Sequence, residues 1–361
     1  MELPSRLRAE SPPQSPREIT VEFQPSCINC GAHGDILYRD LHDRVSHAPG
    51  IWSLVRCENR SCGLIWLSPR PVSKDLWKAY TQYYTHYSPP PESPRRRFHR
   101  YIRTGYLANS FEYHALPASF LQRWLGMFAS FLPNLRARLD FSVMWLRGNK
   151  VGRVLEVGCG RGDNLNFLKE AGWTVEGIDS DVQAVAICQA RRLTVRHGTL
   201  QEQTYQAETF DAVVMSHVIE HVFDPSQTIR ECHRILKPGG TLAMLTPNSN
   251  SLGHRLYGSS WLHLDPPRHL HLFNRTTLTG LARGLSFRRL HCFAVLRDAN
   301  WTLGASRQIR KVGSYRLGVL PFSLRLYGLF LLYIEWIALF FSKDIGEEIV
   351  LIAEKDQNAP T

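Results

Sequence analysis

Three short groups of residues in this chain of 361 residues have types and spacings that support chemistry. In the first, Glu156 to Gly162, three glycines occupy alternate positions after an apolar stretch. The second, His217 to His221, has the spelling His-x-x-Glu-His. The third consists of two close thiol pairs, Cys27, Cys30, Cys57 and Cys62. These groups indicate a nucleotide-binding turn, an acid–base or metal-binding segment, and a four-thiolate metal site.

The glycine turn is predicted to join a strand at 153–157 to a helix at 164–171. Glycine allows a tight turn and a close approach of a ligand, because it has no Cβ. A strand, a glycine-rich turn and a helix begin a doubly wound α/β domain. A dinucleotide-binding turn would need its third glycine at position 163, where Asp163 stands. The spacing therefore favours a different nucleotide ligand.

The pattern of apolar residues predicts six more strands after this first strand, enough for a full sheet. Further strands are predicted at 174–178, 193–196, 210–216, 241–246, 287–295 and 347–354, with helices between most of them and a turn at 237–240. We therefore expect an α/β fold, a doubly wound seven-stranded mostly parallel sheet of the Rossmann-like type. Asp179 ends the second strand, 21 residues after Gly158, where an acidic residue can bind ribose hydroxyls. The alternative is that Asp179 caps the next helix.

The turn and the segment from His217 to Pro225 resemble class I S-adenosylmethionine-dependent methyltransferases, notably ubiquinone-type O-methyltransferases and other small-molecule enzymes. The resemblance implies S-adenosyl-L-methionine as cofactor, and strand seven antiparallel to its neighbours. An Asp often stands in the family where Thr199 stands here. The cofactor-binding residues implied are Glu156, Gly158, Cys159, Gly160, Gly162, Asn164, Asp179, Ser180, Thr199, Leu200 and His217.

The segment His217 to His221 also matches an inverted zinc-protease signature. That signature needs a long helix, whereas here the segment follows a buried strand and Pro225 stops a helix soon after. The resemblance instead places His217 beside the cofactor. His221 or Glu220 then serves as general base, or the trio holds a divalent metal, as in some relatives. The alternative is that Glu220 and His221 only brace the loop.

The loop at 260–273, called here the acceptor loop, is the expected wall of the substrate site. It carries His263, His269 and His271, whose ordinary pKa values lie near neutrality, so each could take a proton from a hydroxyl. Alternatively, His269 and Arg268 fix the loop by hydrogen bonds. Since alignment of the reactants supplies most of the rate, a base is not essential. The catalytic candidates are His221, His269 and Glu220.

A glycine follows the second cysteine of each thiol pair, as in the knuckles of a zinc ribbon. The pattern predicts a structural zinc ion held by Cys27, Cys30, Cys57 and Cys62; two disulfides or four free thiols are the alternatives. The N-terminus has no apolar signal segment, so a cytoplasmic protein is expected. Residues 63–71 and Tyr80, Tyr83, Tyr84 and Tyr87 add a resemblance to bacterial methyltransferases with a zinc-binding N-terminal region.

Composition divides the chain into five parts. They are a disordered N-terminus (1–20), a zinc-ribbon-like lobe (21–88), a linker with a helical, basic and aromatic segment (89–150), the methyltransferase domain (151–297 with 346–355), and an apolar helical insertion (298–345). Pro89 to Pro94 is predicted to be a stiff linker. An insertion of about fifty residues before the last strand is long enough to be functional.

Two segments, 120–131 and 324–341, are unusually apolar. Residues 326–341 number only 16, too few to span a bilayer. One interpretation is a buried helix that packs against the N-terminal apolar helix. The other is an interfacial helix, peripheral at the inner face of the membrane, because basic residues flank the segment and the net charge is +11.

These observations predict methyl transfer to a small or lipid-linked acceptor, with a sugar- or isoprenoid-type hydroxyl favoured. An anionic membrane surface is a further expected partner. The rival hypothesis is an RNA or nucleotide methyltransferase, or a zinc ribbon that binds nucleic acid. Its basic residues, however, alternate with apolar stripes instead of covering a polar face, which disfavours nucleic acid.

Overall fold

The computed structural model describes residues 18–80, 93–113 and 116–357. Residues 1–17, which hold most of the expected disordered N-terminus, lie outside the described residues. So do Tyr83, Tyr84, Tyr87 and most of the expected proline linker. Within the described ranges, no helix is both long and apolar enough to cross a membrane.

The N-terminal part, residues 18–80, is a small β-rich unit called here the cysteine lobe. Its strands are β1 (Val21–Glu22), β2 (Gly34–Leu41), β3 (Trp52–Cys57), β4 (Ile65–Leu67) and β5 (Arg70–Pro71). A 3₁₀ helix, Ser73–Tyr80, ends the described part of the lobe. Three α-helices follow: α1 (Pro94–Ser110), α2 (Phe120–Ala129) and α3 (Pro133–Phe141).

The C-terminal part is a layered α/β domain. Its elements are β6 (Arg153–Val157), α4 (Asp163–Glu170), β7 (Thr174–Asp179), α5 (Val182–Ala190), β8 (Val195–His197), β9 (Phe210–Ser216), α6 (Pro225–Ile235), β10 (Leu236–Pro247), α7 (Leu252–Tyr257), β11 (His271–Leu272), α8 (Arg275–Arg283), β12 (Phe287–Val295), α9 (Ala299–Val312), α10 (Phe322–Ala338) and β13 (Glu348–Lys355).

Seven of these strands form one sheet in the order β12-β13-β10-β9-β6-β7-β8. Strands β6 to β10 run parallel, and β13 pairs antiparallel with both β10 and β12. The expected seven-stranded, mostly parallel fold is therefore confirmed. The predicted turn at 237–240 is wrong, since those residues lie inside β10, where the register with β9 shifts between Leu236 and Thr241.

Buried side chains cover both faces of the sheet. On one face, helices α1 to α3 contribute residues such as Leu107, Ala129 and Leu139 to a core with α4 and α5. On the other face, α6 and α8 pack beside the buried part of the cysteine lobe, including Cys62 and Trp66. The lobe is thus continuous with the core of the domain.

The acceptor loop belongs to both parts of the molecule. Its strand β11 pairs antiparallel with β4, which extends the lobe's sheet to the order β11-β4-β3-β2. The register places His271 opposite Trp66 and Leu272 opposite Ile65. This pairing joins residues on both sides of the boundary predicted at residue 88, so that boundary does not separate two independent sheets. The sequence gives no signal for the pairing.

Candidate active site

The glycine turn between β6 and α4 has a left-handed backbone at all three alternate glycines. The φ values are 67° at Gly158, 52° at Gly160 and 76° at Gly162. Other residue types rarely adopt this region. A Cβ at Gly158 would lie 2.4 Å from Val218, whereas a Cβ at Gly160 would meet no atom within 4 Å. The turn is therefore closely packed at its first glycine and open at its second.

Asp179 closes this turn from the end of the neighbouring strand β7. Its carboxylate accepts hydrogen bonds from the backbone amides of Gly160 (2.7 Å) and Asp181 (2.9 Å). Burial raises the pKa of Asp179, an effect that these two bonds oppose. Its side chain does not cap α5; Asp181 does, accepting from the amide of Gln183 at 2.9 Å.

Two buried acceptor atoms beneath the turn lack a partner. Asn164 donates to Glu156 Oε1 at 3.1 Å, yet Glu156 Oε2 and Asn164 Oδ1 make no hydrogen bond within the described residues. Burial raises the pKa of Glu156 to about 8. Since buried polar atoms are nearly always satisfied, this pair indicates a ligand with donor groups.

The other predicted cofactor residues lie at the ends of neighbouring strands. The carbonyl of Ser180 lies 3.1 Å from His197 Nε2, and the Thr199 amide donates to Glu202 at 2.7 Å. The side chains of Leu200 and Cys159 are buried in the two cores. Leu200 and Cys159 can therefore reach a ligand in this structure chiefly through backbone atoms.

His217 is the first residue after β9, the strand next to β6, and it lies at the same edge of the sheet as the glycine turn. Its φ of 53° is unusual for a residue other than glycine. The two ring nitrogens lie 3.0 Å from Glu220 and 2.8 Å from Glu348. Burial opposes the charged form, but these two carboxylates outweigh it and raise the pKa of His217 to about 9.

Both carboxylates beside His217 are held in the ionised form. Burial alone would raise the pKa of Glu220, but His217 and neighbouring imidazoles lower it to about 2. Thr246 also donates to Glu220 at 2.9 Å. Burial opposes ionisation of Glu348 as well, but Arg297, whose Nε donates to it at 2.9 Å, and His217 lower its pKa to about 2. A carboxylate with so low a pKa is a weak base, so Glu220 suits the orientation of His217 better than the predicted role of general base.

His221 and His269 form a second pair, with ring centroids 4.7 Å apart. His221 Nδ1 lies 3.0 Å from the carbonyl of Arg268, and His269 Nδ1 lies 2.8 Å from the carbonyl of His263. A carbonyl only accepts, so each Nδ1 carries a proton, and Nε2 is the nitrogen of each ring that can act as a base or a metal ligand. Burial and the neighbouring His269 lower the pKa of His221 to about 4, which keeps that ring neutral.

The remaining polar residues of the acceptor loop have other environments. Burial lowers the pKa values of His263 and His271 to about 3. His271 is fully buried in β11, so the idea that it accepts a substrate proton does not fit. Arg268 is also fully buried; it donates to Asp43 of the lobe (2.8 Å), to Asp265 and to the carbonyl of Ala79 (3.0 Å). Arg268 therefore fixes the loop, as the alternative interpretation expected.

Metal-binding geometry exists in two places among the described residues. The ligand atoms of Glu220, His221 and His269 lie within 4.8 Å of one another. The expected metal ligands were His217, Glu220 and His221. His269 stands in place of His217 in the observed set, because both ring nitrogens of His217 contact carboxylates. Two imidazoles and one carboxylate are a donor set that suits a divalent transition metal. In that case the metal would polarise a bound hydroxyl, and Glu220 would orient both the ion and His217.

The four thiols of the cysteine lobe form the other cluster. Their sulfur atoms lie within 4.8 Å of one another, with separations of 3.7 Å for Cys27–Cys62 and 3.4 Å for Cys30–Cys57. Four sulfurs bound tetrahedrally to one zinc ion lie about 3.8 Å apart. These distances are too long for S–S bonds. Gly31 and Gly63, which follow the second cysteine of each pair, have φ values of 73° and 66°.

Sequence reasoning missed three residues of this site. Arg297 follows β12 and Glu348 begins β13, and both lie 2.8 Å from His217 Nε2. Tyr80 of the lobe places its hydroxyl 3.0 Å from His221 Nδ1. A signal existed for Glu348, because the start of an antiparallel strand lies at the edge where its parallel neighbours end. No sequence signal distinguishes Tyr80 from the other tyrosines near it in the chain.

Comparisons with known proteins agree with this geometry. A family model described as a methyltransferase domain matches residues 128–291. The chain is 41% identical over 97 residues to a probable S-adenosylmethionine-dependent methyltransferase of Mycolicibacterium smegmatis, covering 26% of this chain and 38% of that protein. It is 33% identical over 165 residues to the ubiquinone biosynthesis O-methyltransferase of Pseudomonas syringae pv. tomato, covering 42% and 71%. It is also similar to the solved structure of an S-adenosylmethionine-dependent methyltransferase from Archaeoglobus fulgidus, with a TM-score of 0.43, 20% identity, and 64% and 100% of the two chains covered.

The sequence match to the Pseudomonas enzyme establishes the family. The chain belongs to the class I S-adenosylmethionine-dependent methyltransferases. The residues fit this cofactor: its ammonium and ribose hydroxyls are donors, and Glu156 Oε2 and Asn164 Oδ1 are unpartnered acceptors beneath an open Gly160.

Proposed function

We propose that the protein methylates a hydroxyl of a small or lipid-linked acceptor, of sugar or isoprenoid type. The observation that carries this proposal is the pair of imidazoles of His221 and His269, each held through Nδ1 by a backbone carbonyl, at the edge of the sheet where the cofactor turn lies. The similarity to ubiquinone biosynthesis O-methyltransferases supports an oxygen acceptor. The same chemistry would apply to a nucleotide hydroxyl, but no site residue described above favours nucleic acid.

In the proposed reaction, the acceptor oxygen attacks the methyl carbon of the sulfonium. A carbon–oxygen bond forms, the carbon–sulfur bond breaks with its electrons passing to sulfur, and S-adenosylhomocysteine leaves. The hydroxyl proton passes to the free Nε2 of His269, or of His221 beside it. Because Arg268 and Glu220 hold the surroundings of this pair, alignment supplies much of the rate and proton transfer adds to it.

The test compares His221→Gln and His269→Gln with His291→Gln, an exposed histidine on β12. Purified protein is incubated with radiolabelled donor and with lipid, sugar-nucleotide or RNA fractions of a cell extract. We expect label in lipid or sugar fractions, and a fall of roughly hundredfold in kcat for the two site variants with unchanged donor binding. Label confined to RNA, or full activity in both site variants, would contradict the proposal.

We further propose that Cys27, Cys30, Cys57 and Cys62 hold one structural zinc ion. Four thiolates leave no open position for water, so the ion's role is to stabilise the lobe. Elemental analysis should find one zinc per chain in the intact protein. Cys30→Ser should lose it, while the matched variant Cys292→Ser in β12 should retain it. Full-length protein without zinc, but with an unchanged melting temperature, would disprove this assignment.

A further inference from the structure

Helix α10 is apolar on both sides, although only one side is covered. Its buried residues are Gly328, Leu331, Leu332 and Glu335, which recur at helical spacing. They face α9, and Gly328 is so close that a Cβ there would lie 1.9 Å from the carbonyl oxygen of Asn300. The opposite side exposes Phe330 (64%) and Ile337 (54%), and the turn after the helix exposes Phe340 (73%) and Phe341 (88%). A helix that only filled the core would carry polar residues on that side.

Helix α2 repeats this arrangement in a distant part of the sequence. Gly126 and Ala129 are buried, and α2 packs on α1 so closely that a Cβ at Gly126 would lie 2.3 Å from the amide of Tyr106. Its other side exposes Phe120 (85%), Trp124 (48%) and Phe128 (47%). The expected packing of the two apolar helices on each other is therefore wrong: α2 covers α1, and α10 covers α9.

The two exposed sides adjoin in space. Leu132, just after α2, and Leu135 of α3 line one pocket together with Leu329, Leu332 and Tyr333 of α10. Asn134 also donates to Asn300 at 2.8 Å, and Arg138 pairs with Asp298, which ties this region to the start of α9. The rings of Trp124, Phe128 and Phe131 contact one another in turn and lead to Leu132. The exposed apolar residues of α2, the turn after it and α10 therefore form one surface, called here the apolar face.

Basic residues lie next to segments of the apolar face in the sequence. Lys311 and Arg316 are exposed in the segment between the body of α9 and α10, where Leu317, Val319 and Phe322 are also exposed. Arg136 on α3 is 61% exposed. With a net charge of +11, two copies of this chain repel each other, whereas an anionic surface attracts them.

We propose that the apolar face docks the protein on an anionic phospholipid bilayer, with α10 lying in the interface instead of crossing it. Aromatic side chains suit the depth where headgroups meet acyl chains, and lysine and arginine next to segments of the face suit anionic headgroups. The face is tied to the active site through the start of α9: Arg138 pairs with Asp298, the residue after Arg297, which binds Glu348. Docking does not depend on the identity of the methyl acceptor.

The experiment is vesicle co-sedimentation of the full chain with phosphatidylcholine alone or mixed with phosphatidylglycerol. Two double variants test the face: Phe330→Glu with Ile337→Glu removes apolar contact, and Lys311→Glu with Arg316→Glu reverses charge. Phe128→Glu tests the part formed by α2. Phe23→Glu, 79% exposed on the cysteine lobe, is the matched control. Binding of S-adenosylmethionine by calorimetry verifies that each variant is folded.

We expect tighter binding to the anionic vesicles, and a loss of roughly tenfold or more in the partition coefficient for each face variant but not for Phe23→Glu. Salt should weaken binding of the wild type and leave the residual binding of the charge-reversed variant almost unchanged. Equal recovery of all variants with both vesicle types would overturn the proposal. So would a dimer in sedimentation equilibrium that Phe330→Glu converts to a monomer without any vesicle binding, because the face would then join two copies.

Discussion

The cofactor half and the acceptor half of the active site are assembled over very different sequence distances. Asn164 contacts Glu156 eight residues away, and Gly160 contacts Asp179 across 19 residues. In the acceptor half, Arg268 reaches Asp43 across 225 residues and His221 reaches Tyr80 across 141. The cofactor half is thus a local motif held by one strand–turn–helix unit and its neighbour, whereas the acceptor half exists only when lobe, loop and last strand meet. A substitution that disrupts one half should therefore leave the other half intact.

The largest expected effect is on Arg268→Met. This change leaves Asp43 and Asp265 without their buried cation, so the free energy of unfolding should fall by about 3–5 kcal/mol. Urea denaturation measures the loss. The control is Arg289→Met, whose side chain is 75% exposed and pairs with Glu354 at 3.6 Å, and which should cost under about 1 kcal/mol. An equally small effect at both sites would show that the acceptor half does not depend on this contact.

Gly158→Val should damage the cofactor half alone. The backbone there is left-handed and the new side chain would collide with Val218, so affinity for S-adenosylmethionine should fall roughly hundredfold. Calorimetry measures the affinity. Gly284→Ala is the matched control, because a Cβ at Gly284 meets nothing within 4 Å. Retained affinity in Gly158→Val would mean that the ligand does not use this turn.

Glu348→Gln tests the acceptor half through pH. The raised pKa of His217, about 9, stabilises the fold fully below its ordinary value of 6.5 and ceases to do so as pH rises through 9. Removing one of its carboxylates should therefore cost about 2 kcal/mol at pH 6 and clearly less at pH 9.5. Urea denaturation at both pH values gives the difference. A cost that is the same at both would show that His217 is not charged in the folded protein.

The smallest expected effect lies outside both halves, at Glu335 in α10. This carboxyl is fully buried, neither oxygen makes a hydrogen bond within the described residues, and burial together with Glu347 raises its pKa. Such a group favours the fold below its ordinary pKa of 4.5, and that advantage disappears as pH rises. Glu335→Met should therefore raise stability by about 1 kcal/mol at pH 8 and by less at pH 4, measured by thermal melts. Cofactor affinity and vesicle binding should not change, and a stability loss at pH 8 would show that Glu335 has a partner.

The fold and the cofactor half were predictable because their signals are local. Apolar runs of strand length, a glycine turn and Asp179 at the next strand end all fall within about thirty residues. Strand β9 was predicted with its bounds, Phe210–Ser216. The cysteine cluster was predictable for the same reason, since two short thiol pairs need only one further contact to meet.

The acceptor half was predictable only as a set of candidates. Spacing identified His217, Glu220, His221 and His269, but their roles depend on partners that no spacing encodes. Glu220 and Glu348 turn His217 into a charged structural group. Two backbone carbonyls decide which nitrogens of His221 and His269 are free. Burial of His271 in a two-residue strand removed a candidate that was chemically as good as its neighbours.

Strand β11 has a consequence for how this enzyme can be altered. Its two residues belong to the acceptor loop in the chain and to the cysteine lobe in the hydrogen-bonded sheet. The lobe is therefore not an independent unit. If it were exchanged alone for that of a relative, β11 of the loop would lose the strand β4 with which it pairs. Lobe and loop form one hydrogen-bonded unit, so an exchange with a relative would have to move both together.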